Sequence, residues 1–204
     1  MNGRPYRGMS SEERLADRRE RLMAAAYTLY CDPGFPETTI ERLCAAARIS
    51  NRAFYECFSG RDELMEAVHD RCVQESLASV AKSVAQAPDS LPERIRAGIG
   101  GYIGFVTEDR RRARLMHLEV RRAGGCLTKA REQALAGFFE AVEIIGPGDP
   151  ALTGPAGTDR RLLALGVIGA IQELLTEWVL ADDPPEVDHL IDAAVRVFHR
   201  SFVT

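Results

Sequence analysis

The chain has 204 residues, 46% hydrophobic and 27% charged, with a formal net charge of −4. That is ample length to bury a core, and the composition is ordinary for a globular protein. An acidic total argues against a nucleic-acid binder, but the distribution reverses the impression: residues 1–61 carry 10 Arg against 8 Asp and Glu, and residues 62–204 carry 16 Lys and Arg against 22 acids. A locally basic segment is what phosphate neutralisation requires. Cys31, Cys44, Cys57, Cys72 and Cys126 are odd in number and form no CxxC pair, so neither a disulfide framework nor a zinc finger is expected. The opening MNGRPYRGMS lacks the apolar core of a secretory leader, and no stretch approaches the roughly 20 apolar residues of a membrane span. The expectation is a cytoplasmic protein with no membrane partner.

Strand signals are almost absent, and helical periodicity recurs. Residues 1–10 read as a flexible tail. A first helix over Ser11–Tyr30 places Leu15, Leu22, Ala26, Leu29 and Tyr30 near one stripe, with Glu12 and Glu13 favouring its start. CDPGFPE stops it. Thr38, with Glu41 three residues on, opens a short second helix ending near Ala47 as a capping box. Ser50 caps a third, running through Phe58. A long fourth helix begins at Asp62 or Glu63 and reaches about Gln86. After the linker APDSLPE come helices near 92–107, 109–122 and 126–145. The Gly- and Pro-rich loop Gly146–Thr158 precedes an apolar helix over Thr158–Ala181, and Pro185–Phe202 is the last. The predicted architecture is all-α with about nine helices: a three-helix head over 11–61 and a helical body over 62–204.

The head has the layout of a helix-turn-helix, in which one helix crosses the DNA backbone and the next lays its N-terminal residues in the major groove. Thr38–Ala47 is the crossing helix. Asn51–Phe58 is the reading helix, about 12 Å long, and its start offers Asn51 and Arg52 to base edges. Phe54 and Phe58 form the inward stripe, and Tyr55 lies off it with a hydroxyl able to reach a phosphate. The order and spacing of Gly34, Thr38 and Thr39, the alanine-rich second helix, Ile49–Ser50, Phe54–Tyr55–Phe58 and Arg61–Leu64 resemble the DNA-binding head of TetR-family transcriptional regulators. The match spans about residues 15–68. It implies a DNA-facing set of Thr38, Thr39, Ser50, Asn51, Arg52, Tyr55 and Arg61, with Thr39, Tyr55 and Arg61 on phosphates. Two positions depart from the pattern. Arg48 stands where glycine is usual, and a left-handed backbone there would cost about 1–2 kcal/mol. Cys57 stands where His or Tyr is common. Arg4 and Arg7 could enter a minor groove as arms or remain disordered.

In the fifth helix Ala97, Gly101 and Gly104 share a face without side chains. Either another helix packs close there or the gap belongs to a ligand cavity, and the family resemblance, which implies a pocket among the body helices, favours the second. Gly101, Gly104, Phe105, Met116, His117 and Trp178 are then its candidate wall, against the alternative of plain core. The run Arg110–Arg111–Arg112–Arg114 reads as a solvated face or helix-end charge, with an anion site as the alternative. A buried, inert Cys57 is the alternative to a redox sensor. No GxSxG, HExxH or Walker loop suggests an enzyme, and no metal or cofactor is expected.

Apolar residues recur at steps of three and four in the last two helices, and the first of them is apolar almost all round, which asks for a partner. Leu165, Ile168, Gly169, Leu175, Leu190, Ala194 and Phe198 are the candidate homodimer surface, forming a four-helix bundle across a two-fold axis. The expected function is that of a transcriptional repressor on double-stranded DNA, released from a palindrome by a small, partly apolar effector. The competing reading is a helical interaction protein without specific DNA recognition.

Overall fold

The computed structural model of the protein describes residues 10–203, and Arg4 and Arg7 lie outside them. Among the described residues there is no strand. Helix α1, Ser11–Leu29, starts at a reciprocal cap: Ser10 Oγ accepts from the Glu13 N–H at 3.0 Å, and the Glu13 carboxylate accepts from the Ser10 N–H at 2.6 Å. The chain leaves α1 through a wide π-type turn, Tyr30–Gly34, and Gly34 takes φ +122°, which side chains rarely adopt.

Helix α2, Ile40–Ala47, is capped by Thr39, whose hydroxyl accepts from the Arg42 N–H at 3.3 Å. The cap is therefore one residue later than the Thr38–Glu41 spacing predicts. Arg48 is left-handed at φ 53°, ψ 50°. Arg21 braces that turn, donating through Nε to Ala47 O at 2.9 Å and through Nη2 to Arg48 O at 2.6 Å. A charged clamp on the last carbonyls of α2 thus compensates a side chain where glycine would fit more easily. Helix α3, Asn51–Cys57, begins at Ser50, whose hydroxyl accepts from the Ala53 N–H at 3.2 Å.

Helix α4, Arg61–Gln86, follows three residues later and is about 39 Å long at 1.5 Å per residue. It packs along α5, Leu91–Glu108. Next comes a rod in three pieces: α6, Arg110–Arg114, a π turn over Leu115–Glu119, and α7, Val120–Arg122. Helices α8, Leu127–Ile145, α9, Arg160–Leu180, and α10, Val187–Phe202, complete the body. With the rod taken as one, nine helices are present among the described residues. Helix α8 packs on α4 and α9, and α10 on α5 and α9.

Gly101 resolves the choice left open in the fifth helix. A Cβ there would lie 2.7 Å from Ser83 Oγ and 3.0 Å from Ser79 O, and Ser79 Oγ donates to Gly101 O at 2.9 Å. The bare face lets α5 approach α4, and Gly101 opens no cavity. The apolar stripe of α10 also faces inward. Leu190, Ala194 and Phe198 are buried, Phe138 of α8 closes on Phe198 and Phe202, and Leu175 of α9 is fully buried. These four residues belong to the chain's own core and not to a surface for a second copy. Helix α9, with 21 residues, is by length and composition alone apolar enough to cross a membrane, a correction to the reading that no stretch approaches this; in the fold it packs on α6, α8 and α10.

Candidate nucleic-acid interface and effector cavity

The crossing and reading helices are held from beneath. Phe54 and Phe58 are buried 6.3 Å apart, and Arg19 lies over the Phe58 ring at 4.1 Å while donating to Cys57 O. What α3 leaves outside is Asn51, Arg52, Tyr55 and Glu56. Tyr55 is 60% exposed although its ring packs edge-on against Phe54 at 5.4 Å. The Arg52 side chain is 91% exposed and meets Glu56 at 3.4 Å, while Glu56 also pairs with Arg18 at 2.8 Å. An exposed amide, guanidinium and phenol at the start of one short helix match the donor and acceptor chemistry of base edges and phosphates.

Four residues of the DNA-facing set have structural duties, Thr39 through the α2 cap. Thr38 is fully buried, and its hydroxyl reaches Leu29 O at 2.9 Å and Gly34 O at 2.7 Å, which ties the loop to the end of α1. That places Thr38 beneath the surface, and the exposed threonine is Thr39. Ser50 is exposed but spends its hydroxyl on the α3 cap. Arg61 is half-buried. It donates to Phe35 O at 3.1 Å and to Thr38 O, and lies 4.8 Å over the Phe35 ring. Cys57 is buried, and burial pushes its thiol up, away from the reactive thiolate.

The arginine run is engaged within the chain, and Arg110 is the helix-end charge that such a run suggests. Arg110 donates to Val179 O and Ala181 O at the end of α9 and faces the Trp178 ring. Arg111 pairs with Asp109 at 3.1 Å, and Arg114 with Glu119 at 3.2 Å. Arg112 donates to Phe105 O and covers the Phe105 ring at 3.7 Å. Phe105 and Trp178 are thereby packed under arginines. Neither lines the cavity, nor does Gly104, so three of the candidate wall residues stand elsewhere with Gly101.

The cavity itself has a volume of about 450 Å³ and lies among α4, α5, the rod, α8, α9 and α10. Met116 and His117 do line it. So do Leu165, Ile168 and Gly169, which the periodicity of α9 assigned to a dimer surface. Most of the wall is apolar: Val73, Leu77 and Val80 from α4, Ile99 from α5, Val142 and Ile145 from α8. Several polar groups lie at the end nearer the head, where His69 Nδ1 meets Gln133 Oε1 at 3.2 Å and the Gln133 amide donates to Asp70. Tyr102 and Arg121 also reach the cavity. Sequence reading passed over His69, although a histidine on the buried stripe Leu64, Met65, Val68 and Cys72 was a visible signal.

A family model described as bacterial regulatory proteins, tetR family, matches residues 22–68, the segment from α1 through the start of α4. That match places the tetR-family pattern in the head alone. The head thus resembles the DNA-binding segment of tetR-family regulators, and the chain's likeness to other proteins extends beyond the head. It is 22% identical over 199 residues to the HTH-type transcriptional activator FasR of Mycolicibacterium smegmatis, covering 95% of this chain and 87% of that one. Its fold superposes with a TM-score of 0.73 and 16% identity on the fatty acid degradation regulator FadR from Bacillus halodurans, covering 89% and 94% of the two chains. A TM-score of 0.69 at 16% identity relates it to the transcriptional regulator FadR from Bacillus subtilis in complex with stearoyl-CoA, covering 88% and 96%.

Proposed function

We propose that this chain is a tetR-family repressor whose hold on a palindromic operator is released by a fatty acyl thioester in the body cavity. One observation carries the effector half. The cavity holds about 450 Å³, within the roughly 300–1,000 Å³ of small-molecule sites, and its wall is mostly apolar, with His69, His117, Gln133, Arg121 and Arg131 among its few polar groups. That composition suits a hydrocarbon chain with one polar group. Two similar proteins are named for fatty acid regulation or solved with stearoyl-CoA, which supports the same chemistry.

In this reading residues 11–61 form the DNA-binding unit and residues 62–204 the regulatory one. Asn51 and Arg52 take base edges, and Thr39 and Tyr55 take phosphates. A second copy packs on the outer face of α9, where Leu162, Gly166 and Leu180 are exposed on a helix too apolar to be left in water. Two heads then address half-sites about one helical turn, roughly 34 Å, or a multiple apart. Such a regulator acts in the cytoplasm, where its DNA lies. The effector works only by favouring one placement of the heads over another.

Selection of bound duplexes from a random pool with the purified protein tests the DNA half. A palindromic motif is expected, and Asn51→Ala with Arg52→Ala should erase or change it. A pool with no enriched motif would favour an interaction protein. Palmitoyl-CoA added to the complex should then lower operator affinity, read by fluorescence anisotropy; an unchanged affinity sinks the effector half.

A further inference from the structure

His117 is 2% exposed, faces the cavity, and has no hydrogen-bond partner at either Nδ1 or Nε2. An unsatisfied buried polar group costs about 1–3 kcal/mol, and a fold that keeps one usually completes it with something outside the chain. The neighbours are already engaged: His69 Nδ1 with Gln133, and Gln133 with Asp70. Burial, helped by His69 and then by Arg121, pushes the His117 pKa down to about 3, so the ring is neutral and offers one N–H donor and one nitrogen acceptor. A neutral donor in an apolar wall suits an uncharged carbonyl oxygen. A carboxylate set against His117 itself would meet a neutral ring and not an opposite charge.

The position of His117 fixes how such a ligand lies. Along α4 the lining residues run from His69 to Val80. Eleven residues of helix separate them, about 16 Å. Arg121 and Arg131 also line the cavity and are exposed to solvent, which places cations at its rim.

Building on the acyl effector reading above, we infer that His117 is the residue that recognises the ligand, donating its ring N–H to the carbonyl oxygen of an acyl thioester. The hydrocarbon runs from that point towards Val80 and Ile145, and the phosphate-bearing carrier stays outside, against Arg121 and Arg131. His117 thereby selects a thioester carbonyl over a chain of equal length that lacks one.

The test compares two probes on the full-length protein by isothermal titration calorimetry: palmitoyl-CoA, and S-hexadecyl-CoA, a thioether without the carbonyl. Wild type should bind the thioester about tenfold more tightly. His117→Phe should remove that preference while leaving thioether affinity unchanged, and His117→Gln, which restores an N–H donor, should recover part of it. The ligand-free His117→Phe protein should also melt higher, because an orphaned polar group is gone. Equal wild-type affinities for the two probes overturn the His117 assignment and leave the acyl effector reading standing. Failure of wild type to bind either probe overturns both. The wild-type comparison holds whether or not a variant folds.

Discussion

The Glu119 carboxylate joins the body to the head, its Oε2 accepting the Phe35 backbone N–H at 3.0 Å. Glu119 is fully buried, and its other oxygen accepts from Arg114 Nε at 3.2 Å and Arg122 Nη1 at 3.0 Å. It sits in the same π turn, Leu115–Glu119, as the cavity-facing His117. Tyr27 Oη to Asp109 at 2.9 Å and Cys31 Sγ to Arg111 O at 3.2 Å add to this junction. One turn of the rod therefore touches both the body cavity and the loop that leads into the crossing helix.

Glu119→Gln should uncouple the two. Losing charge-assisted hydrogen bonds should cost about 1.5–3 kcal/mol of stability. Effector affinity in the absence of DNA should stay near wild type, while the effector-induced loss of operator affinity shrinks. Titrating effector with and without operator measures that coupling. Full release in the variant would mean that the signal travels elsewhere, for instance along α4.

Adjacent threonines should separate structure from recognition. Thr38→Val removes a hydroxyl that holds Leu29 O and Gly34 O, and should lower stability by about 1–3 kcal/mol. The folded fraction should bind operator normally. Thr39→Ala removes the α2 cap, worth about 1 kcal/mol, and should weaken DNA binding as well. Chemical denaturation beside anisotropy separates them, and normal operator binding by Thr39→Ala would remove Thr39 from the contact set.

Gly101 and Gly104 should answer oppositely to alanine. At Gly101 the added methyl meets Ser83 and the Ser79 carbonyl, so overpacking should destabilise by about 1–3 kcal/mol. At Gly104 nothing lies within 4 Å, and the better helix former should stabilise by about 1 kcal/mol. Neither lines the cavity, so effector affinity should hold in both. Altered affinity in either variant would extend the site to that face of α5.

Acid should weaken the fold through its buried histidines. Burial lowers His69, opposed by Gln133 and Asp70, and burial takes His117 to about 3. Below the unfolded value near 6.5 the unfolded chain binds protons that the folded chain refuses, so stability falls as pH drops from about 6.5 towards 3. The slope is roughly 1.4 kcal/mol per pH unit for each such proton. Urea midpoints between pH 7 and pH 4.5 should fall less steeply for His117→Phe than for wild type. Parallel slopes would show that His117 titrates normally.

Arg48→Gly should stabilise the head. The left-handed penalty of about 1–2 kcal/mol disappears, partly offset by the 0.5–1 kcal/mol or so of extra backbone entropy that glycine loses. The Arg21 clamp acts on backbone carbonyls and survives the change. A lower denaturation midpoint would show that the Arg48 side chain contributes more than its exposure suggests.

The sequence by itself determined what depends on a few neighbouring residues. The cap at Ser50, the stop after α1, the left-handed strain at Arg48 and the exposed start of α3 all follow from hydrogen bonds and dihedrals within one helical turn. Helical periodicity likewise placed Phe54 and Phe58 inside and Tyr55 outside. Only the tertiary structure decided what each face meets. Periodicity shows that Leu190, Ala194 and Phe198 form a stripe, but Phe138 from a distant helix claims it for the core. It shows that Gly101 lacks a side chain, but Ser79 and Ser83 fill the space. The cavity, the orphaned His117 and the Glu119–Phe35 bond join residues far apart in the chain, and such contacts depend on how whole helices stack, which a local pattern does not encode.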